Sequence, residues 1–170
     1  MVWLRMLFEW ADANLPGAAA IRESSYGFSI LLTFHVVFIC LFLGSVIMMD
    51  LRLVGLGPRR TPFSQVQKGL FPWQMLGMAL ASISGAALLY IQPMNYYGKG
   101  FFWTKLGLMV LAGLNAQIFH ATTYRSVAAW DIKAVTPRGA QLAGVLSLVL
   151  WAGVLVSGRL VAYDWWTYFQ

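Results

Sequence analysis

Four long runs of apolar residues alternate with shorter polar segments along the chain. They cover about residues 26–49, 73–91, 101–122 and 140–161, each close to the ~20 residues with which an α-helix crosses a hydrocarbon core. Before the first run, within residues 1–15, Arg5, Glu9 and Asp12 follow helical spacing while apolar residues occupy the other faces. This spacing predicts a short amphipathic helix lying in the membrane interface. We therefore predict an all-α fold: a membrane four-helix bundle with an N-terminal interfacial helix, forming a single integral membrane domain over residues 1–170.

Composition strengthens the membrane assignment. Hydrophobic residues make up 59% of the chain and charged residues only 11%, whereas a soluble domain carries roughly 25% charged residues. The main solvent of the protein is therefore predicted to be the lipid bilayer. The net charge of +6 does not indicate nucleic acid as a partner, because the basic residues collect at the ends of the apolar runs.

The basic residues also predict an orientation. The loops between the first and second runs and between the third and fourth runs hold seven of the 12 basic residues. By the positive-inside rule both loops face the cytoplasm of a bacterial inner membrane, and both termini face the periplasm. The first loop contains Pro58, Pro62 and Pro72, so no continuous helix is expected over residues 55–72.

Small and polar residues inside the runs predict how the helices pack. Gly77, Ala81 and Gly85 recur at intervals of four in the second run, a spacing that lets another backbone approach closely. Gly113 lies on the same face of the third run as His120. Such grooves hold either a neighbouring helix, which is the commoner use, or a flat cofactor. Asn115 in the middle of the third run is expected to hydrogen-bond another helix.

The chain has two histidines, His35 in the first run and His120 in the third. A polar ring at such depth is a functional-site hypothesis by default, and two neutral imidazoles are the minimum that ligates a b-type haem from both sides. Gly85 and Gly113 would leave room for the haem, and Arg159 near the end of the fourth run could meet a propionate. His35 and His120 are thus candidate metal ligands.

The predicted depths of the two histidines leave other interpretations open. Counted from the ends of their runs, they differ by roughly 10–16 Å along the bundle axis, which is too far for a simple shared iron. Two separate metal sites are one alternative. Another is that each histidine hydrogen-bonds a serine, a glutamine or a backbone carbonyl of a neighbouring helix.

Other chemistry receives less support from the sequence. Eight methionines raise the possibility of copper, since thioethers suit Cu(I), but they form no tight cluster. The chain contains no phosphate-binding loop, no zinc-protease motif, no paired-cysteine motif and no nucleophile elbow. No catalytic residue can be assigned, and whether the protein is an enzyme stays open.

Two stretches carry a resemblance to known proteins. The first run reads His35-x8-Gly44-x5-Asp50-Leu51-Arg52-Leu53-x-Gly55, and the third ends in Asn115-x4-His120. Together with the leading amphipathic segment, this pattern resembles a family of uncharacterised bacterial four-helix inner-membrane proteins. In layout it is also similar to small membrane cytochromes b and to copper-resistance-type membrane proteins. The resemblance implies the fold and singles out the histidines; a shared fold does not imply an activity.

These observations lead to three functional hypotheses. The first is a b-type haem-binding inner-membrane protein that transfers electrons, with a quinone or a redox protein as partner. The second is a non-catalytic subunit that anchors or assembles a larger membrane complex or a homo-oligomer. The third is a protein that handles copper or a small solute.

Overall fold

The computed structural model describes residues 2–14, 17, 21, 24, 26–56, 61–131 and 136–163, and this part of the chain is helical, without a β-strand. A 3-10 turn covers Thr123–Ser126. The α-helices are α1 (Val2–Asn14), α2 (Gly27–Val54), α3 (Phe63–Ile91), α4 (Pro93–Tyr97), α5 (Gly100–Ala121), α6 (Val127–Trp130) and α7 (Arg138–Leu160).

Four of these helical segments are long and apolar enough to cross a membrane. They are Gly27–Val54, Phe63–Ile91, Gly100–Trp130 and Arg138–Leu160. Each overlaps one of the four predicted runs, which confirms four spans by length and composition. The chain is thus an all-helical protein with the features of a multi-pass membrane protein.

The second span corrects one expectation about helix boundaries. Helix α3 begins at Phe63, before the start of the predicted run at about residue 73, and continues through Pro72. The expectation that no continuous helix covers residues 55–72 is confirmed, since residues 61 and 62 are not helical. Pro62 precedes the first helical residue with φ −54°, close to the value its ring imposes. A proline inside a helix costs about 3 kcal/mol. The burial of Phe63 and a hydrogen bond from the Ser64 amide to Asp131 offset that cost.

Each long helix packs against one or two of the others: α2 lies along α3, α5 lies along α7, and α2 also contacts α7. Small residues lie at these contacts, as the sequence predicts. A Cβ atom added to Gly77 would lie 2.7 Å from the backbone nitrogen of Phe42, and one added to Gly144 would lie 3.1 Å from the backbone oxygen of Asp50. These contacts are backbone approaches of the kind that hold helices together in lipid.

The long helices have two distinct ends, named here the loop end and the terminal end. The loop end is where α2 and α5 end and α3 and α7 begin; the terminal end is the opposite one. At the loop end, Asp131 accepts a hydrogen bond from the Ser64 amide, so the two predicted cytoplasmic loops meet on one side of the protein. A buried cluster also lies here: Met49, Leu53, Phe63, Phe119, Trp130 and Ala140.

Aromatic residues pack at both ends. At the loop end the Trp130 ring lies 5.7 Å from that of Phe63, and with 7% of its surface exposed it is a core residue. At the terminal end, Phe8 of α1 packs against Tyr97 and Trp103, with ring centroids 5.2 and 6.4 Å away. Helix α1 falls within the predicted segment 1–15, whose limits Met1 and Leu15 lie outside the described residues.

Candidate functional site

His35 lies on α2 toward the terminal end and contacts α3. Its Nδ1 atom is 2.8 Å from the hydroxyl of Ser84. The same hydroxyl lies 2.7 Å from the carbonyl oxygen of Leu80 and 3.2 Å from that of Ala81. When it donates its single proton to one of these carbonyls, Nδ1–H of His35 donates to Ser84 and the lone pair of His35 is on Nε2. In this arrangement a histidine can ligate a metal while its other nitrogen is held by the protein.

Gly85 makes room for the His35 ring. A Cβ atom at this position would lie 3.1 Å from Cε1 of His35, closer than ordinary van der Waals contact. The sequence singles out Gly85 as a residue that leaves space for a cofactor. The structure places the histidine ring itself in that space.

His120 lies near the end of α5, at the loop end. Its Nδ1–H donates to the carbonyl oxygen of Ala116 at 2.8 Å, and because a carbonyl only accepts, the lone pair is on Nε2. The side-chain amide of Gln67 on α3 donates to that nitrogen at 3.2 Å. The Oε1 atom of Gln67 is buried and has no hydrogen-bond partner. His120 is thus held between two helices with both ring nitrogens engaged.

The structure keeps the two histidines far apart. Their partners on α3, Ser84 and Gln67, are 17 positions apart in one helix, which corresponds to roughly 25 Å along its axis. This separation exceeds the offset predicted from the sequence, and the two histidines cannot ligate one iron. Hydrogen bonds of each histidine to a serine or a glutamine of another helix, one of the alternatives that the sequence leaves open, are both present.

The other predicted site residues lie apart from the histidines. Arg159 is exposed at the terminal end; it donates to the hydroxyl of Tyr163 at 3.1 Å and lies 5.3 Å above that ring. Gly113 is exposed, and a Cβ atom there would meet nothing within 4 Å. Gly113 therefore makes no close helix contact. Asn115, in contrast, donates to the carbonyl oxygen of Ala143 at 2.9 Å. This confirms the predicted hydrogen bond to another helix, which the structure shows to be α7.

Lys105 near the start of α5 is a polar residue whose importance was not evident from the sequence. Its side chain lies along α7, with Nζ 3.6 Å from where a Cβ of Gly158 would be. The ammonium group is near enough to interact electrostatically with His35. The C-terminal end of α7 favours a nearby cation through the helix dipole. The sequence signal was a lysine within the first turns of a predicted span.

A second polar group of residues lies inside the loop end. Asp50 is buried, with 6% of its surface exposed, and its carboxyl lies near Ser147 of α7, whereas its Oδ2 atom has no hydrogen-bond partner. The guanidinium of Arg52 is also buried and donates to the carbonyl oxygen of Thr61 at 3.1 Å. Asp50 thus faces α7, and Arg52 binds α2 to the loop.

Asp131 joins the two loops. Both oxygens of its carboxylate accept hydrogen bonds from Ser64, one from the amide and one from the hydroxyl, at the first turn of α3. Desolvation by itself raises the pKa of Asp131, but the hydrogen bonds from Ser64 and the charge of Arg52 outweigh it and leave the pKa below its usual value. The ionised carboxylate therefore caps the N-terminus of a helix from a different part of the chain.

Within the described part of the chain, no three His, Cys, Asp or Glu side chains come together as a metal site would require. Either histidine would therefore need the cofactor itself, or another kind of residue, to complete the coordination of a metal. No protein-family model, curated protein or solved structure matches this chain.

Proposed function

We propose that this protein holds a b-type haem in the membrane through His35 and takes part in electron transfer. The observation that supports the proposal is the contact of Nδ1 of His35 with Ser84, whose hydroxyl has two backbone carbonyl acceptors of its own. With the Ser84 proton on a carbonyl, Nδ1–H of His35 donates to Ser84 and Nε2 carries a lone pair. Haem iron is commonly bound by a histidine in this form. His35 would supply one protein ligand to such a haem.

Several residues of the chain would have distinct roles in holding the haem. His35 supplies the ligand nitrogen, Ser84 fixes the tautomer and the ring orientation, and Gly85 leaves the ring its space. The bound haem would supply one-electron redox chemistry. Arg159 remains the proposed partner of a propionate or a lipid headgroup. His120 cannot complete the same site, because it lies at the other end of α3.

We also propose in which membrane the protein lies and how its spans are arranged. The spans would form a four-helix bundle in a bacterial inner membrane, with the loop end in the cytoplasm and α1 in the periplasmic interface. The exposed Trp3, Leu7 and Trp10 of α1 support an interfacial position, since tryptophan suits headgroup depth. A quinone or a redox protein is the proposed electron partner.

Removing one histidine at a time tests the proposal. The chain would be produced with ample haem, purified in detergent, and assayed for haem by the pyridine haemochrome method. His35→Ala is expected to lose its haem while circular dichroism shows unchanged helix content. His120→Ala is the matched control and should keep its haem. Equal haem content in the wild type and His35→Ala would refute the assignment of His35.

A second candidate function is favoured by a different observation. Three polar side chains form hydrogen bonds between helices: His35 with Ser84, His120 with Gln67, and Asn115 with the Ala143 carbonyl. Such bonds suit a non-catalytic subunit that anchors or assembles a larger complex. In that case the protein would co-purify with a partner and have no visible absorbance of its own.

A further inference from the structure

A shallow depression opens at the loop end, beside His120. Its volume is about 400 Å³, and the small side chains of Ala116 and Ala121 leave this space open. The residues that line it are Ala116, Gln117, His120, Ala121 and Arg125. Because it lies at the last turn of α5 and the start of the following 3-10 turn, it is at the end of a span, where lipid headgroups begin.

The groups that can donate into this depression are cationic or amide groups. Both ring nitrogens of His120 are engaged with Ala116 and Gln67, so the available donors are the guanidinium of Arg125 and the amide of Gln117, both exposed. Among the residues that the structure describes, no carboxylate forms a salt bridge with Arg125. Its guanidinium is therefore available to an anion from outside the described chain.

Further basic residues lie at the loop end, besides Arg125. Lys68 and Arg138 are also exposed at the loop end, and Lys68 directly follows Gln67, the partner of His120. The two acids in this region are already used, since Asp131 accepts from Ser64 and Asp50 is buried against Ser147. An anion approaching the depression meets positive charge and no exposed acid from the described helices.

We infer that this depression binds the phosphate headgroup of an anionic phospholipid. Arginine recognises phosphate through several N–H groups at once, and basic pockets at the ends of membrane helices bind acidic lipid headgroups. The acyl chains would continue along the apolar surface of α5, where Leu114 and Ile118 are exposed. Arg125 is the main donor and Gln117 the second one. The inference is independent of haem binding.

Native mass spectrometry of the detergent-purified full chain tests the inference. The protein would be titrated with a short-chain phosphatidylglycerol, with the matching phosphatidylcholine, and with inorganic phosphate. We expect tighter binding of phosphatidylglycerol than of phosphatidylcholine, and a loss of affinity in Arg125→Gln of roughly fivefold, the amount expected for one basic residue at an anionic lipid surface.

Matched variants give the experiment its controls. Lys99→Gln removes a positive charge between α4 and α5, at the terminal end, and is expected to leave the affinity for phosphatidylglycerol unchanged. Gln117→Leu should weaken binding without changing a charge. The inference is overturned if Arg125→Gln binds like the wild type, if phosphatidylcholine binds equally well, or if inorganic phosphate alone competes fully, which would indicate a free-phosphate site.

Discussion

Nδ1 of His35 lies 2.8 Å from the hydroxyl of Ser84, which is itself within hydrogen-bond distance of the carbonyl oxygens of Leu80 and Ala81. In the tautomer that donates Nδ1–H to Ser84, Nε2 of His35 keeps a lone pair. A histidine buried only for structural reasons does not need this tautomer, because either nitrogen could face the serine. A histidine that ligates a metal does need it. At the scale of single residues, Ser84 is therefore the positioning residue that distinguishes the two interpretations of His35.

Ser84→Ala tests this role. The substitution removes the acceptor of Nδ1–H, so the ring can turn and its basicity changes. We expect a loss of haem affinity of about 10–100-fold, typical of a lost hydrogen bond behind a metal ligand, measured by titrating haem into the apoprotein. Ser82→Ala, an exposed serine on the same helix, is the control. Equal haem affinity in the wild type and Ser84→Ala would argue against a positioning role.

The sequence singled out His35, His120, Gly85 and Asn115, and each of them makes a close contact between helices. It did not identify the partners. Ser84 and Gln67 are ordinary polar residues in the sequence, and which of them faces a histidine depends on how far α3 extends and how it is rotated. The extent and the rotation of α3 depend on tertiary packing, which cannot be read from the periodicity of the sequence.

At the scale of elements, the contact between α2 and α3 depends on the absence of a side chain at Gly77. Gly77→Ala would place a Cβ atom 2.7 Å from the backbone nitrogen of Phe42, and a backbone cannot move as a flexible side chain can. We expect a loss of about 1–3 kcal/mol in the free energy of unfolding, the usual range for overpacking.

Thermal unfolding in detergent, followed by circular dichroism, measures this effect. Gly107→Ala is the matched control, because a Cβ atom there would meet nothing within 4 Å and alanine favours a helix over glycine. The control should unfold at the wild-type temperature or slightly above it. If both variants unfold alike, the close approach at Gly77 is not what stabilises this helix pair.

The start of α3 depends on Asp131, which lies 67 residues further along the chain. Asp131→Ala is expected to lower the free energy of unfolding by about 0.5–2 kcal/mol, as for other lost helix caps. Asp131→Asn, which keeps one oxygen acceptor, should lower it less. The sequence does not show that a distant residue caps this helix. The predicted run therefore began only after the proline-containing loop, at about residue 73.

The Asp131 cap also predicts a dependence of stability on pH. Because the folded state lowers the pKa of Asp131 below its usual 3.8, the cap is fully stabilising above that value and is lost as the pH falls through the lower folded-state pKa. The unfolding temperature of the wild type should therefore fall toward that of Asp131→Ala below about pH 4. A difference between them that stays constant down to about pH 2 would contradict this account.

At the scale of the whole molecule, four spans and the pairing of loops define the topology. The number of spans followed directly from the apolar runs, because lipid requires long unbroken apolar helices. The contact between Ser64 and Asp131 adds that both loops share one side. From the distribution of basic residues and the positive-inside rule, we propose that this side is the cytoplasm.

Labelling of single cysteines tests the proposed orientation. In a Cys40→Ser background, Gln65→Cys and Ala128→Cys would lie in exposed positions at the loop end, and Tyr26→Cys at the terminal end. A membrane-impermeant thiol reagent added to intact cells should modify only the cysteine at position 26. Modification of positions 65 and 128 instead would reverse the orientation, and a different result for those two would contradict the shared side.

A reduced-minus-oxidised absorption spectrum of the detergent-purified wild-type chain tests the proposal that His35 holds a haem. We expect a sharp b-type α-band, with about one haem per chain, that is absent from His35→Ala and present in His120→Ala. A flat spectrum from protein produced with ample haem would contradict the claim and favour the anchoring function.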